Sequence, residues 1–427
     1  MIKTIRFLIF ICCICLLTAI LYGIYHEKFS TFQQKDPETS LKKIVFVVHT
    51  KTLGGKGVLE LYHRMKEVGH DVKVAMIPSY CGIQLLDTVV DFEFAKSFDP
   101  NDIVFPCGTE APFQCTSIEY LAPDYIFTQM PYKMSSNCPL HPHFSNDHLK
   151  ALSKKMMYIV YGPHIFHQSF INDTDLPEVI DTVFVDSEST KQIYIDQYKF
   201  KPEQVAVSGY QPYKEVRSRL NNIHIKNTNF RETILWLPRW MLTFKHRDLH
   251  EGGSTFLNYH YYFYNYALNN PHIRLIIRPH CGMFVDHTRC NFLTKEELYG
   301  ILDKFAKLPN VTISDHKYTD LIDDIFASDV IISDGSSALA EVVVANKPII
   351  YLSNGWNNEF NSNDLSKEFK NHVYLAYDPI DIEQYLIFLR SNKYITNYNM
   401  NGFKDMLDPV ENPVQFITDY VTHDTLN

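Results

Sequence analysis

The chain has 427 residues and is 45% hydrophobic, 14% aromatic and 21% charged, a balance that excludes a disordered polar chain. With 40 Lys and Arg against 49 Asp and Glu the net charge is −9, which excludes a general nucleic-acid binder. Nine cysteines do not make a disulfide scaffold at this length, and the length itself suits two large domains with additions.

Residues 7–25 carry no charge, and at about 1.5 Å per residue they are long enough to cross a bilayer core. No small-residue cleavage site follows. The expectation is a membrane anchor in 1–28, a single transmembrane helix, followed by a polar stalk over 29–41. Lys3 and Arg6 precede the span, and Lys28, Lys35, Lys42 and Lys43 follow it, so charge counting sets no orientation. Sequons at Asn172 and Asn310 are no more than chance supplies. The six cysteines outside the span (Cys81, Cys107, Cys115, Cys138, Cys281 and Cys290) fit disulfides or free buried thiols equally.

The body opens as a βαβ unit, with a strand over 43–49, a glycine-rich turn over 54–57, a helix over 58–68 and a strand over 72–77. Further strands are predicted over 102–106, 125–127, 157–161, 182–186 and 205–207, with a helix over 189–198. A second series begins near 232. It has strands over 233–237, 273–277, 311–313, 330–332 and 348–351, and helices over 260–268, 318–327 and 337–345. Two helical patterns, over 381–389 and 413–421, end the chain. The polar stretch 221–231 separates the two series, so domains are expected over 42–225 and 226–427. Two successive α/β halves place a ligand in the cleft between them, at the carboxyl ends of their strands.

The sharpest motif follows the strand at 330–332: Ser333, Asp334, Gly335, Ser336 and Ser337, then Glu341. A helix starting there offers backbone N–H groups and hydroxyls to an anion, although a plain N-cap uses the same residues. Arg278, Pro279 and His280 end the strand at 273–277. Pro279 cannot continue a central strand, so His280 is expected to enter the cleft as a base or phosphate stabiliser, beside an arginine suited to phosphate oxygens. After the strand at 233–237, Arg239, Lys245, His246 and Arg247 gather positive charge ahead of Gly252 and Gly253. Other features are weaker. Gly54, Gly55, Lys56 and Gly57 fit no standard nucleotide loop. Asp173 and Asp175 lie in a polar loop rather than after a strand. His141, His143 and His148 follow Cys138 at spacings that do not suit zinc.

In their order these pieces resemble the CDP-glycerol glycerophosphotransferase family of teichoic acid and capsule-type polymer synthesis. The resemblance covers about 120–360 and is strongest after 230. It rests on Leu235 to Trp240 followed by Gly252 to Phe256, on Arg278, Pro279 and His280, and on Ser333 to Ser337 with Glu341 and Lys347. Pro123 to Tyr132, Tyr158 to Gly162 and Val207 to Tyr210 add echoes in the first half. The resemblance implies a GT-B-like α/β fold, two Rossmann-like domains with a cleft between them, working without metal or cofactor. It implies transfer of glycerol phosphate, or a related polyol phosphate, from a CDP-activated donor to an acceptor hydroxyl, with release of CMP. Carried over, His280 is the catalytic histidine, Ser336 and Ser337 with Asp334 lie at the donor pyrophosphate, and Arg239 and Arg278 are phosphate partners. Where the family has His-Gly-Thr in its first half this chain has Tyr161, Gly162, Pro163 and His164, so His164 is the substitute candidate base. The implied partners are the CDP-activated polyol, a lipid-linked or polymer acceptor and the membrane, with no nucleic acid. Such donors are made in the cytosol and two phosphates do not cross a bilayer unaided, so the body is expected on the cytoplasmic face. Competing readings are a GT-B glycosyltransferase using a sugar nucleotide and a membrane-anchored binding protein without catalysis.

Overall fold

The computed structural model describes residues 41–49, 55–78, 90–108, 114–131, 141–166, 175–220, 229–239, 254–280, 283–284, 293–314, 320–353, 360–394, 396 and 400–426. The expected span and nearly all of the stalk lie outside them, and among the described residues no helix is long and apolar enough to cross a membrane.

The first half contains β1 (Lys43–Val48), β2 (Asp71–Met76), β3 (Ile103–Val104), β4 (Tyr125–Thr128), β5 (Lys155–Ile159), β6 (Thr182–Val185) and β7 (Val205–Val207). Its helices are α1 (Val58–Glu67), α2 (Phe92–Ala95), α3 (Asn146–Leu152), α4 (Leu176–Val179), α5 (Glu188–Asp196) and α6 (Gln211–Leu220). The second half contains β8 (Glu232–Leu237), β9 (Ile273–Ile277), β10 (Val311–Ile313), β11 (Val330–Ser333), β12 (Ile349–Leu352) and β13 (Tyr374–Ala376). Its helices are α7 (Phe256–Asn269), α8 (Lys295–Ala306), α9 (Leu321–Ala327), α10 (Leu339–Val344), α11 (Asp364–His372), α12 (Pro379–Ser391) and α13 (Met400–Leu407). A last helix, α14 (Pro413–His423), ends the chain.

Both sheets are parallel. Their orders are β3-β2-β1-β4-β5-β6-β7 and β10-β9-β8-β11-β12-β13. Unbroken apolar runs explain this, because a parallel strand covered by helices on both faces needs no polar side. In β1, Val45 and Val47 enter one core layer while Ile44, Phe46 and Val48 enter the other. In β8, Leu235 and Leu237 face one layer while Ile234 and Trp236 face the opposite one. Strand order reverses between β1 and β4 and again between β8 and β11. The carboxyl ends at such a reversal splay apart and leave a crevice.

A continuous core joins the halves. Ile165, Phe166, Tyr210, Tyr213 and Val216 of the first half pack among Leu339, Val343, Tyr351 and Phe369 of the second. Asn361 donates its amide to the carbonyls of His164 and Phe166 at 3.0 and 3.1 Å, and Ser366 Oγ donates to Ile165 O.

The C-terminal helix departs from the expected division at 226–427. Val414, Ile417 and Val421 of α14 join Val58, Leu61, Tyr62 and Met65 of α1 in the first half's core. Asp424 accepts from Tyr125 Oη at 2.6 Å and pairs with Lys155. The i, i+3, i+7 spacing shows that the helix has an apolar side but does not say which core receives it. Gly209 makes room for the return. Its φ of 78° suits glycine, and a Cβ there would stand 2.8 Å from Val410 Cβ.

At the end of β6, Asp186 is fully buried and neither carboxylate oxygen has a well-formed hydrogen bond among the described residues. Burial raises its pKa to about 6, against the lowering effect of the nearby Thr190 and Ser187 hydroxyls. The unfolded chain ionises this group near 3.8, so folding is favoured below that pH, and the advantage is lost as pH rises through about 6. The loss amounts to about 3 kcal/mol above pH 6. Asp186→Asn is expected to raise the neutral-pH melting temperature and to flatten the stability profile between pH 4 and 6, both measurable by thermal unfolding across pH.

Candidate active site

The second sheet's crevice is built by three strand ends knitted together beyond their last regular residues. Arg278 N donates to Trp236 O at 2.9 Å, and His280 N donates to Pro238 O at 3.2 Å, so β9 follows β8 into the loop. Ser333 Oγ donates to Leu237 O at 2.7 Å and ties in β11. Beneath, Trp236 packs on Phe256 and Phe263 with centroids 5.2 and 4.3 Å away, which fixes the start of α7.

Asp334 lies at the centre of this knot and is fully buried. One oxygen accepts from Arg239 N at 2.6 Å. The other accepts from Thr255 N at 2.7 Å, Thr255 Oγ1 at 2.9 Å and Ser254 Oγ at 3.3 Å. Burial raises its pKa, and the donors from Thr255 and Arg239 oppose that rise. With both oxygens occupied, Asp334 shapes the loops rather than touching a ligand.

The chain then surfaces. Gly335, Ser336, Ser337 and Ala338 are partly exposed between buried neighbours on either side. Ser336 N is turned back onto Asp334 O at 2.6 Å, and Ser336 Oγ accepts from Ala338 N at 3.3 Å. A Cβ on Gly335 would stand 3.1 Å from Arg239 Nη1, so the missing side chain lets that guanidinium lie along the turn. From the first half, Gly162 approaches the same turn. A Cβ there would be 3.5 Å from Ser337 Cβ.

Of the residues picked out from sequence, Arg239, His280, Asp334, Ser336 and Ser337 therefore lie around one crevice. Arg278 and His164 do not join them. Arg278 is 5% exposed and directs Nη1 to Asp324 Oδ2 at 2.8 Å and Ser314 Oγ at 2.9 Å, an internal ion pair between β9 and α9. His164 is 1% exposed, with its ring edge-on to Tyr194 and Tyr198 and its nitrogens 3.3 and 3.5 Å from their hydroxyls. A base must reach its substrate, and this ring is enclosed in the first half's core. Residues 240–253, with Lys245, His246, Arg247, Gly252 and Gly253, lie outside the described residues, as do Asp173 and Cys138. The His143 ring lies in tilted contact with His141 and with His148, with centroids 5.1 and 5.2 Å away.

Asp334→Asn tests the central knot. Whichever way the amide is turned, its NH₂ meets an N–H or O–H donor, from Arg239 on one side or from Ser254 and Thr255 on the other. The expected cost is about 1–3 kcal/mol of stability, the scale of a buried polar group left unpaired. Thermal unfolding measures it, and unchanged stability would show that the four donors are not held by charge.

No family model matches the chain, and no curated protein matches it in sequence. Solved structures do match in fold. The wall teichoic acid polymerase TagF aligns with 95% of this chain and 97% of its own, with a TM-score of 0.52 and 13% identity. The UDP-GlcNAc 2-epimerase of Neisseria meningitidis aligns with 89% of this chain and 100% of its own, with a TM-score of 0.52 and 12% identity. A putative UDP-N-acetylglucosamine 2-epimerase from Listeria monocytogenes aligns with 89% of this chain and 95% of its own, with a TM-score of 0.51 and 10% identity. At these identities the likeness concerns architecture: two parallel α/β domains of the GT-B-like type, with a cleft between them.

Proposed function

We propose that the chain is a transferase that moves glycerol phosphate, or a related polyol phosphate, from a CDP-activated donor to an acceptor hydroxyl. The observation that carries this reading is the gathering of Arg239, His280, Ser336 and Ser337 at the β8/β11 reversal, opposite Gly162 of the first half. Two hydroxyls, a guanidinium and an imidazole suit a diphosphate, and phosphoryl transfer needs positioning and charge stabilisation more than covalent help. Among the fold relatives, TagF has been determined after a soak with CDPG, and the Neisseria enzyme is bound to UDP-GlcNAc.

In this reading Ser336, Ser337 and Arg239 hold the diphosphate. The acceptor hydroxyl attacks the β-phosphorus and forms the new O–P bond. The bond from that phosphorus to the oxygen bridging the two phosphates breaks, and CMP leaves with its electron pair. The hydroxyl proton passes to the imidazole of His280, which takes the role expected of His164. Arg278 stays bound to Asp324 and fixes the end of β9. A sugar-nucleotide glycosyltransferase is the second reading, favoured by the likeness to an enzyme bound to UDP-GlcNAc. The full chain in detergent, given CDP-glycerol, CDP-ribitol and UDP-sugars, separates the two. Release of CMP is expected, and release of UDP alone would move the chain to the second reading. His280→Ala should lower turnover by about 10² or more.

The uncharged run 7–25 and the polar stretch after it support a body held at a membrane, and a donor made in the cytosol supports the cytoplasmic side. One feature favours the opposite side. Cys107 and Cys115 are joined as a disulfide, a bond that persists in oxidising compartments. Asn310 could carry no glycan on either side, since it is buried and its amide donates to the carbonyls of Ala267, Asn270 and Ile273. Protease added to intact cells is expected to spare a cytoplasmic body, and digestion without lysis would assign it to the outer face.

A further inference from the structure

The turn Gly55, Lys56 and Gly57 matches no nucleotide-binding signature, yet it stands at the first sheet's own strand reversal, between β1 and β4. Gly57 has a φ of 72° and caps α1 with no side-chain hydrogen bond. A Cβ there would stand 2.7 Å from Gln211 Cβ, so the turn is pressed onto the start of α6. Gln129, just past β4, donates Nε2 to Lys56 O at 2.8 Å. Its own Oε1 is buried without a partner among the described residues, and Gln129 lines a small pocket with Lys56, Tyr210 and Gln211. The backbone of Lys56 is thus fixed, while its side chain keeps 25% exposure.

That side chain crosses to the second half. Its Nζ donates to Tyr210 Oη at 3.2 Å and stands 3.7 Å from Oε1 of Glu341 on α10. Glu341 is 2% exposed, and its Oε2 has no hydrogen-bond partner among the described residues. Ser337 and Glu341 are four residues apart on one helical turn, since Ala340 N donates to Ser337 O and Val342 N to Ala338 O. Residues at this spacing share a face with side chains about 5–6 Å apart. Lys56 and Gly162 of the first half therefore face a single strip of the second, from Ser337 to Glu341.

We propose that Lys56 is a phosphate-binding residue supplied across the cleft. With a nucleoside diphosphate on Ser336 and Ser337, its ammonium leaves Glu341 and pairs with the diphosphate. This rests on the reading that places the donor's diphosphate at those serines. A flexible four-carbon arm spans one helical turn, and a diphosphate outcompetes one carboxylate for the ammonium. During transfer the same charge stabilises the negative charge gathering on the departing phosphate, and no proton or bond is exchanged with Lys56. Glu341 keeps the ammonium in place while the cleft is empty.

The test measures binding of inorganic pyrophosphate, CDP and CMP to the full chain in detergent, for wild type, Lys56→Met, Lys56→Arg and Glu341→Gln. Lys56→Met is expected to weaken pyrophosphate and CDP about tenfold and CMP less, and Lys56→Arg to retain most of the affinity. Glu341→Gln removes the competing carboxylate and should strengthen pyrophosphate binding severalfold. A structural ion pair would behave differently, with both variants weakening binding together, and that result would overturn the proposal. Wild-type pyrophosphate affinity in Lys56→Met would overturn it as well. A chain that releases UDP rather than CMP, but shows the opposite shifts of the two variants on pyrophosphate, would lose the polyol reading and keep Lys56.

Discussion

Three stretches of chain end at Asp334: β8 running into Arg239, β11 itself, and the turn of Ser254 and Thr255 that opens α7. The first and the last end with N–H or O–H groups that no strand or helix satisfies, on buried residues. A charged acceptor with two oxygens answers four of them. Hydrogen bonds to a charged group are the stronger kind, and here the charge is tolerated because every bond is made. Everything that faces the crevice hangs from this arrangement. It brings Arg239 alongside Gly335 and turns Ser336 and Ser337 outward. It also holds β8 where the loop carrying His280 can bond to Pro238.

The opposite wall is held by apolar contact rather than charge. Phe166 enters the second half's core, nearly parallel to Tyr351 at 6.0 Å and close to Phe360 and Phe369. Side chains from Asn361 and Ser366 bind its own carbonyl and those of the two residues before it. This seam sets how near Gly162 comes to Ser337, and hence how wide a ligand the crevice admits. A polar hub on one side and an aromatic seam on the other divide the work. The hub fixes the shape of the anion-facing turn, and the seam fixes its distance from the first half.

Most strands could be read directly from the sequence, because continuous β-branched runs have few other uses, and β8, β9 and β11 fall within a residue or so of expectation. Helices with mixed faces are less legible. The stretch forming α6 is polar, with Pro212 near its start, and only Tyr213 and Val216 are buried within it. In α11 only Leu365, Ser366 and Phe369 are buried. The site divides in the same way. Ser336, Ser337 and Asp334 follow a strand closely, so their position comes from local order. Arg278 also follows a strand, but its partner Asp324 lies 46 residues on. Nothing near Arg278 distinguishes a phosphate ligand from half of a buried pair. His164 is similar, because the tyrosines around it come from α5 and from just beyond it. Lys56 fits no nucleotide-loop motif, and only the packing of two domains shows what it faces.

The return of α14 to the first half has a mechanical consequence. The chain passes between the halves once in the segment joining α6 to β8 and again between α13 and α14. Two covalent crossings define an axis, so one half can swing about the line through them more easily than it can slide past the other. Gly209 lies close to one of these crossings, since Val410 and Pro413 pack directly against it. Rocking about such an axis changes separation most at points far from it. A long side chain reaching over the gap, as Lys56 does, then registers small rotations as the making or breaking of a single contact.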